Sequence, residues 1–245
     1  MHSDSANSAF AAAMIDADHP AVLAMARVAI GDATNPRDQA VRLYYTVRDG
    51  IRYDPYRIDL SVQGLKASQV LADGFGWCVP KAALLAAACR AVGIPARVGL
   101  ADVRNHLSTA RLREAMGTDM FYGHGYTTIK LNGRWIKATP AFNVELCSKM
   151  NMRTLEFDGT KDSIYHPFDR AGQRHMEYVR FRGEFDDMPR QEILAIFAEH
   201  YPRMARLDDA SWEQDVDGEA RGGPGQCPHA AGSASAKVPY VDQGT

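Results

Sequence analysis

The sequence has few cysteines and lacks any long apolar run. Its four cysteines include no CxxC pair, and their spacing fits neither a disulfide framework nor a zinc ribbon. A reducing compartment is therefore the simpler expectation, with the cytoplasm as the default. No apolar stretch reaches the roughly 18 residues that a membrane-spanning helix needs, so we expect no contact with a membrane.

An excess of charge of either sign is also absent. The formal net charge is −2 over 245 residues, which does not favour nucleic acid or an anionic membrane as a partner. No P-loop is present, and the stretch "GFGWCV" has Val79 where a dinucleotide-binding fingerprint needs its third glycine. These absences exclude the two commonest nucleotide-binding motifs.

The composition predicts one domain with two less ordered ends. Hydrophobic residues make up 46% of the chain, enough for a sizeable core. The first half is rich in helical patterns and the second half in strand patterns, which predicts a single α+β domain over residues 19–216. We expect residues 1–18 to be a flexible arm rather than a secretory signal. Residues 217–245 are rich in Gly and Pro, so they are expected to be disordered.

Several segments carry clear signals for secondary structure. Apolar spacing predicts helices over residues 19–30, from 36 onward, over 79–91 and over 188–201, and alternation predicts strands over 96–103 and 174–183. Residues 105–118 form a polar stretch that fits either a helix or a loop.

The clearest single signal is a β-hairpin in "HGYTTIKLNGRWIKATP". Asn132-Gly133 is the pair preferred by a two-residue type I′ turn. Such a turn places Leu131 opposite Arg134 and Ile129 opposite Ile136.

Cys78 is the candidate nucleophile. Gly74 and Gly76 allow a tight turn before it, and Pro80 fits the first turn of the apolar helix that follows. The positive end of a helix favours a thiolate, and its free N–H groups can hold an oxyanion. The alternative is that Cys78 is simply a small buried residue, as we expect for Cys89.

His124 is the candidate base for this thiol. It begins a strand between two glycines, so a substrate could approach it closely. The hairpin register makes Thr139 its diagonal neighbour on the same face, with Asn143 further along, and so nominates both as a third catalytic group. The alternative is a structural histidine, and His106 is a weaker competitor for the base.

Three residues near these two are candidates for contacting substrate. Gly76 and Trp77 lie just before the cysteine, and Tyr126 follows His124 on the same strand face. Cys227 with His229 could hold a stray metal, but two ligands make a weak site. The remaining histidines that we assign to the surface or the ends are His2, His19 and His200.

These motifs together resemble the transglutaminase-like superfamily. The carriers are "GWCVPKAALLAAACRAVGIPAR", the strand that starts at His124, "GRWIKATP", and the preceding helix "AVRLYYTVRDGIRYD". The resemblance covers residues 35–143. It implies a papain-like α+β fold, with a buried cysteine-bearing helix packed on an antiparallel sheet, with Cys78 as nucleophile and His124 as base.

The sequence departs from the family at one position. Members usually carry Asp-Pro after the tryptophan strand, whereas this chain has Thr139-Pro140. A hydroxyl can orient an imidazole but stabilises an imidazolium less than a carboxylate does. Either Thr139 or Asn143 substitutes, Asp158 reaches in, or the triad is incomplete.

The stretch after the resemblance has acidic and aromatic residues. Glu156, Asp158, Asp162 and His166 lie within it, and we expect this segment to close one side of the cleft. The alternative is a solvated acidic loop.

The leading hypothesis is a thiol-dependent enzyme that cleaves an amide or related acyl bond through an acyl-enzyme, without metal or organic cofactor. Its substrate would be a peptide, a protein or a small amide. Water as acceptor makes it a peptidase or amidase, and an amine makes it an acyltransferase.

The rival hypothesis is a binding or scaffold module without catalysis. Plain core roles for both residues would instead make Cys78 inaccessible to alkylating agents.

Overall fold

The computed structural model describes residues 14–105, 108–164, 176–204 and 210–221. Its helices, in chain order, are α1 (Pro20–Ile30), α2 (Pro36–Gly50), α3 (Ala67–Asp73), α4 (Cys78–Ala91), α5 (Ala110–Met116), α6 (Val144–Lys149), α7 (Arg190–His200) and α8 (Trp212–Arg221). Its strands are β1 (Arg52–Tyr53), β2 (Phe75–Gly76), β3 (Ala96–Asn105), β4 (Met120–Leu131), β5 (Arg134–Ala138) and β6 (Met176–Phe185).

The main sheet has four strands in the order β5-β4-β3-β6, and every neighbouring pair is antiparallel. A second, two-stranded sheet pairs β1 with β2 in parallel just before the cysteine. Helices α1 to α4 precede the main sheet in the chain, and α4 packs on it, so the predicted α+β class is confirmed.

Helix α4 forms the centre of the core, as its composition predicts. Every residue from Cys78 to Cys89 is buried, and α4 packs on both β3 and β4. Small alanine side chains allow this close packing, and the Thr127 hydroxyl donates to the Ala82 carbonyl at 2.8 Å. Neither α4 nor any other helix of the described residues is both long and apolar enough to span a membrane.

The β4–β5 hairpin has the predicted register. Leu131 pairs with Arg134 and Ile129 with Ile136 across the two-residue turn. Asn132 has a φ of 50°, a value that asparagine tolerates better than most residues. The turn chemistry therefore fixes which residues of β4 face α4 and which face away.

The described domain extends past both limits predicted for it. Near the N-terminus, the Ile15 N–H donates to Asp187 at 2.9 Å, and Asp16 accepts from Ser68, so the predicted arm is tied down from residue 14. Near the C-terminus, α8 continues to Arg221, beyond the predicted boundary at residue 217. Trp212, the first residue of that helix, is buried and anchors it to the domain. Residues 1–13 and 222–245 lie outside the described residues.

The stretch over residues 105–118 is partly helical. Helix α5 begins after Thr109, whose side chain accepts a hydrogen bond from the Leu112 N–H at 3.2 Å. This N-cap explains why the helix starts there. The segment contributes Leu112 and Met116 to the core near the candidate site.

Candidate active site

Cys78 is the first residue of α4 and lies at its positive end. Backbone N–H groups of Cys78, Val79 and Gly125 hydrogen-bond its sulfur and favour the thiolate. Burial has the larger opposite effect, because the side chain is only 5% exposed. It raises the pKa of the Cys78 thiol to about 11, so the resting thiol keeps its proton at neutral pH. The lowered pKa expected from helix position alone is therefore not found in this closed conformation.

The approach of β4 to the start of α4 depends on Gly125. A Cβ at residue 125 would lie 2.5 Å from the Val79 Cα and 2.9 Å from the Cys78 carbonyl carbon. Real Cβ atoms do not come this close to backbone, so only glycine permits the contact. The small residue next to His124 thus brings the Gly125 N–H onto the cysteine sulfur.

His124 is held by the backbone immediately before it. Gly123 has a φ of +73°, and its N–H donates to the buried Asp102 carboxylate at 3.1 Å. The same Asp102 oxygen accepts from Arg182 Nε at 2.6 Å. This ion pair between β3 and β6 fixes Gly123, the left-handed residue immediately before His124 in β4. The pairing of β3 with β4 is irregular at the same place.

Cys78 and His124 line one small pocket of about 40 Å³. The structure therefore brings together the two residues that the sequence nominates as nucleophile and base. Both are buried, with His124 only 2% exposed. The groove between them is closed in this conformation rather than open to solvent.

Helix α7 and the residue after it cover this pocket. The Phe197 ring meets the Trp77 ring edge to face, with centroids 5.6 Å apart. Tyr201 bonds the Tyr122 backbone at both its N–H and its carbonyl oxygen. A Cβ on Gly123 would lie 2.9 Å from Ile196, so α7 packs directly over the residue before His124. The amphipathic pattern of residues 188–201 predicts this helix but does not indicate where it packs.

Thr139 bonds a tyrosine whose ring packs on His124. Its hydroxyl is 3.2 Å from the Tyr178 hydroxyl, in a hydrogen bond where either can donate. The Tyr178 ring packs edge to face on the His124 ring, with centroids 6.2 Å apart and planes at 83°. The sequence pattern places Tyr178 in a predicted strand but gives no sign that it contacts His124.

Asn143 lies in a different place from His124. Its side-chain oxygen accepts from the Tyr53 N–H at 3.2 Å. It lines a separate cavity of about 310 Å³ together with Arg52 and Arg57. Tyr53 borders both this cavity and the Cys78 pocket, so the two are neighbours.

The three predicted substrate contacts have different positions. Trp77 lines the Cys78 pocket and also a neighbouring cavity of about 460 Å³, which Gly76 borders as well. Tyr126 is 1% exposed and packs against Phe181 on the sheet face away from α4. Its ring covers Gly99, where a side chain would have no room.

The acidic segment after the hairpin packs on other elements. Glu156 accepts from Tyr45 at 2.7 Å, and Asp162 accepts from the Lys137 N–H at 2.9 Å. Asp158 accepts two hydrogen bonds from Thr160, which lower the pKa of its carboxyl. These contacts place the segment against α2 and β5. His2, His106, His166, His229 and Cys227 lie outside the described residues.

Comparison with known proteins confirms the resemblance drawn from the motifs. A sequence model of the transglutaminase-like superfamily matches residues 24–140, which include Cys78, His124 and Thr139. No curated protein matches the chain.

Solved bacterial structures resemble parts of this chain. A candidate protease from Parabacteroides distasonis is 16% identical with a TM-score of 0.34, over 51% of this chain and 25% of that one. A candidate cysteine protease from Cytophaga hutchinsonii is 16% identical with a TM-score of 0.42, over 76% and 58%. An arylamine N-acetyltransferase from Salmonella typhimurium is 13% identical with a TM-score of 0.43, over 77% and 72%. The chain thus spans a quarter of the first of these proteins and under two thirds of the second.

Proposed function

Residues 24–140 carry the core of the transglutaminase-like superfamily, and from that premise we propose that the chain is a thiol-dependent enzyme acting on an amide or related acyl bond. Cys78 is the nucleophile, and His124 moves the proton. The observation that carries this proposal is the pocket that these two side chains share. A cysteine at a helix start and a histidine at a strand bend are held together there from distant parts of the sequence.

The proposed reaction has two halves. In the first, His124 accepts the thiol proton while Cys78 Sγ bonds to the carbonyl carbon of the substrate. The tetrahedral intermediate then collapses, the bond to the leaving group breaks, and His124 returns the proton to that group. In the second half, water or an amine loses its proton to His124 and attacks the thioester. Collapse restores the Cys78 thiol and releases an acid or a new amide.

The backbone around the sulfur supports the charge that develops in this reaction. Three backbone N–H groups point at the Cys78 sulfur, those of Cys78, Val79 and Gly125. Donors fixed in advance near a developing oxyanion stabilise the transition state in a site without water. Because burial raises the pKa of the Cys78 thiol to about 11, proton transfer to His124 accompanies the attack instead of preceding it.

The surroundings of the pair favour an uncharged acyl group. No Asp, Glu, Lys or Arg of the described residues lines the pocket, which is formed mainly by aromatic and aliphatic side chains. A charged acyl group would lose its hydration there without gaining a partner. Trp77 and Gly76 border the adjoining larger cavity, which has room for the leaving group or the acceptor.

Acylation by p-nitrophenyl acetate tests this proposal. We expect a burst of nitrophenol and an acetyl mass on the peptide containing Cys78. Cys78→Ala should abolish both, and His124→Gln should slow the burst by about 100-fold or more. Cys89→Ala is the matched control, because this thiol is also buried in α4 but lies far from the pocket, and it should leave the burst intact. Acetylation elsewhere, or an unchanged burst in His124→Gln, would contradict the proposal.

The acceptor can be read from the same acyl-enzyme. Hydrolysis alone makes the protein an amidase or peptidase, whereas faster turnover on adding an amine, with amide as product, makes it an acyltransferase. The proposal covers both outcomes.

A non-catalytic scaffold is the second candidate, and two observations favour it. Thr139 supplies no carboxylate at the usual acidic position, and the thiol is almost fully covered. A scaffold predicts that Cys78 reacts with iodoacetamide only as its own pKa allows, with no change when His124 is replaced. An enzyme predicts that His124→Gln lowers the rate at neutral pH.

A further inference from the structure

The His124 imidazole packs against the ring of a tyrosine, Tyr178. Tyr178 of β6 presents its ring edge to face, with centroids 6.2 Å apart and planes at 83°. Its hydroxyl is 3.2 Å from the Thr139 hydroxyl. The tyrosine therefore contacts both the imidazole and Thr139, the residue at the position where the family usually carries aspartate.

A further ring contact holds the Tyr178 ring in place. Phe181 stacks on it, with centroids 5.6 Å apart and planes at 22°. Tyr126 in turn meets Phe181 edge to face at 5.7 Å. Thr139 itself is fixed through its backbone, because its carbonyl accepts from Tyr44 at 3.1 Å.

The buried Asp102 carboxylate holds the backbone that precedes His124. Asp102 Oδ1 accepts from the Gly123 N–H and from Arg182 Nε. Its charge is thus paired with a guanidinium across the sheet. Asp102 therefore shapes the chain immediately before His124.

We infer that Tyr178 is a positioning residue for His124, with its ring packed against the imidazole and its hydroxyl fixed by Thr139. The inference rests on the proposed function, since it concerns the base of that reaction. A phenol of this kind orients the imidazole without placing a negative charge beside the imidazolium. This contact holds the imidazole in one orientation for the attack step.

The test measures acylation by p-nitrophenyl acetate and alkylation of Cys78 by iodoacetamide. Tyr178→Phe keeps the ring but loses the bond to Thr139, and Thr139→Val loses the same bond from the other end. Each should lower the limiting acylation rate about three- to tenfold, with little change in the half-saturating ester concentration. The double variant should be no slower than either single one, because both remove one interaction.

Matched controls separate this effect from a general loss of packing. Thr128 lies on the same strand face, is fully buried, and its hydroxyl has no partner among the described residues. Thr128→Val should therefore leave the acylation rate unchanged. Tyr45 lies on α2, and its hydroxyl donates to Glu156. Tyr45→Phe removes this bond and should also leave the acylation rate unchanged.

The decisive comparison uses a His124→Gln background. If Tyr178 acts through the imidazole, Tyr178→Phe should no longer slow Cys78 alkylation there. An equal slowing with and without His124 would overturn the inference, as would a Tyr178→Phe variant with the wild-type rate. So would a His124-dependent loss reproduced by Asp102→Asn but not by Tyr178→Phe. If His124→Gln alone changes nothing, the proposed function itself fails, and that outcome is distinct from the others.

Discussion

Lys81 is a fully buried amine one turn into the cysteine helix. Its Nζ donates to the carbonyl oxygens of Arg48 and Ile51, which lie at the end of α2. These bonds tie the start of α4 to the preceding helix. Burial lowers the pKa of the Lys81 amine to about 7, well below its usual 10.5.

This shift predicts how stability depends on pH. Between about pH 7 and 10.5 the folded amine is neutral while the unfolded one is protonated, so unfolding takes up a proton. The free energy of unfolding should therefore rise with pH across this window, by up to ~1.4 kcal/mol per pH unit. Urea unfolding of the wild type and of Lys81→Met at several pH values isolates the effect, since other groups titrate equally in both proteins. Parallel curves for the two proteins would contradict it.

Single residues differ in how far sequence alone could place them. Cys78 and His124 carry local signals, a helix start and a glycine-flanked strand, and these suffice to nominate them. Tyr178 carries none, because its position depends on how β6 registers on β3 through two irregularities. Asn143 was nominated by continuing the hairpin register past Ala138, but β5 ends there and the chain turns into α6.

Contacts between elements set the geometry of the site more tightly than any single bond. Strand β4 touches the first turn of α4 at Gly125, with room for no Cβ. Gly125→Ala should therefore push the strand off the helix, lower the free energy of unfolding by about 1–3 kcal/mol, and slow acylation. Urea unfolding and the burst assay measure the two effects.

Gly218→Ala provides the control for this substitution. Gly218 lies inside α8, and nothing lies within 4 Å of the Cβ that it would gain. Alanine favours helix more than glycine does, so this variant should gain about 0.5–1 kcal/mol. Equal stability of the Gly125→Ala and Gly218→Ala proteins would mean that the contact with α4 is looser than the structure has it.

Elements were more predictable than their packing. The Asn132-Gly133 turn gave the hairpin and its register, because turn geometry is local. The apolar composition of α4 gave its burial. The amphipathic pattern of α7 predicts that one face of the helix is buried, but the spacing of apolar residues does not identify the surface that it packs on.

At the scale of the whole molecule, the site is built from two parts of the chain. Residues 24–140 match the superfamily and supply Cys78 and His124. The later part supplies Tyr178 beside the imidazole and Phe197 over the pocket. The core of the fold could be predicted from motifs in the first part. The cover could not, because it depends on contacts between distant segments.

The cover makes access to Cys78 a property of the packing of α7. Phe197 packs edge to face on Trp77, and both line the pocket that contains the thiol. Phe197→Ala removes this contact, so water and small reagents should reach the sulfur more often. Greater hydration also lowers the pKa of the Cys78 thiol from about 11, which adds to the gain. We expect iodoacetamide to alkylate Cys78 at least tenfold faster at neutral pH, as lowering the pKa of the thiol by roughly one unit would give.

Trp135→Ala is the control, because this exposed ring on β5 lies outside the pocket, and it should leave the rate unchanged. Equal rates in Phe197→Ala and wild type would show that the thiol is reached by another route than beneath α7.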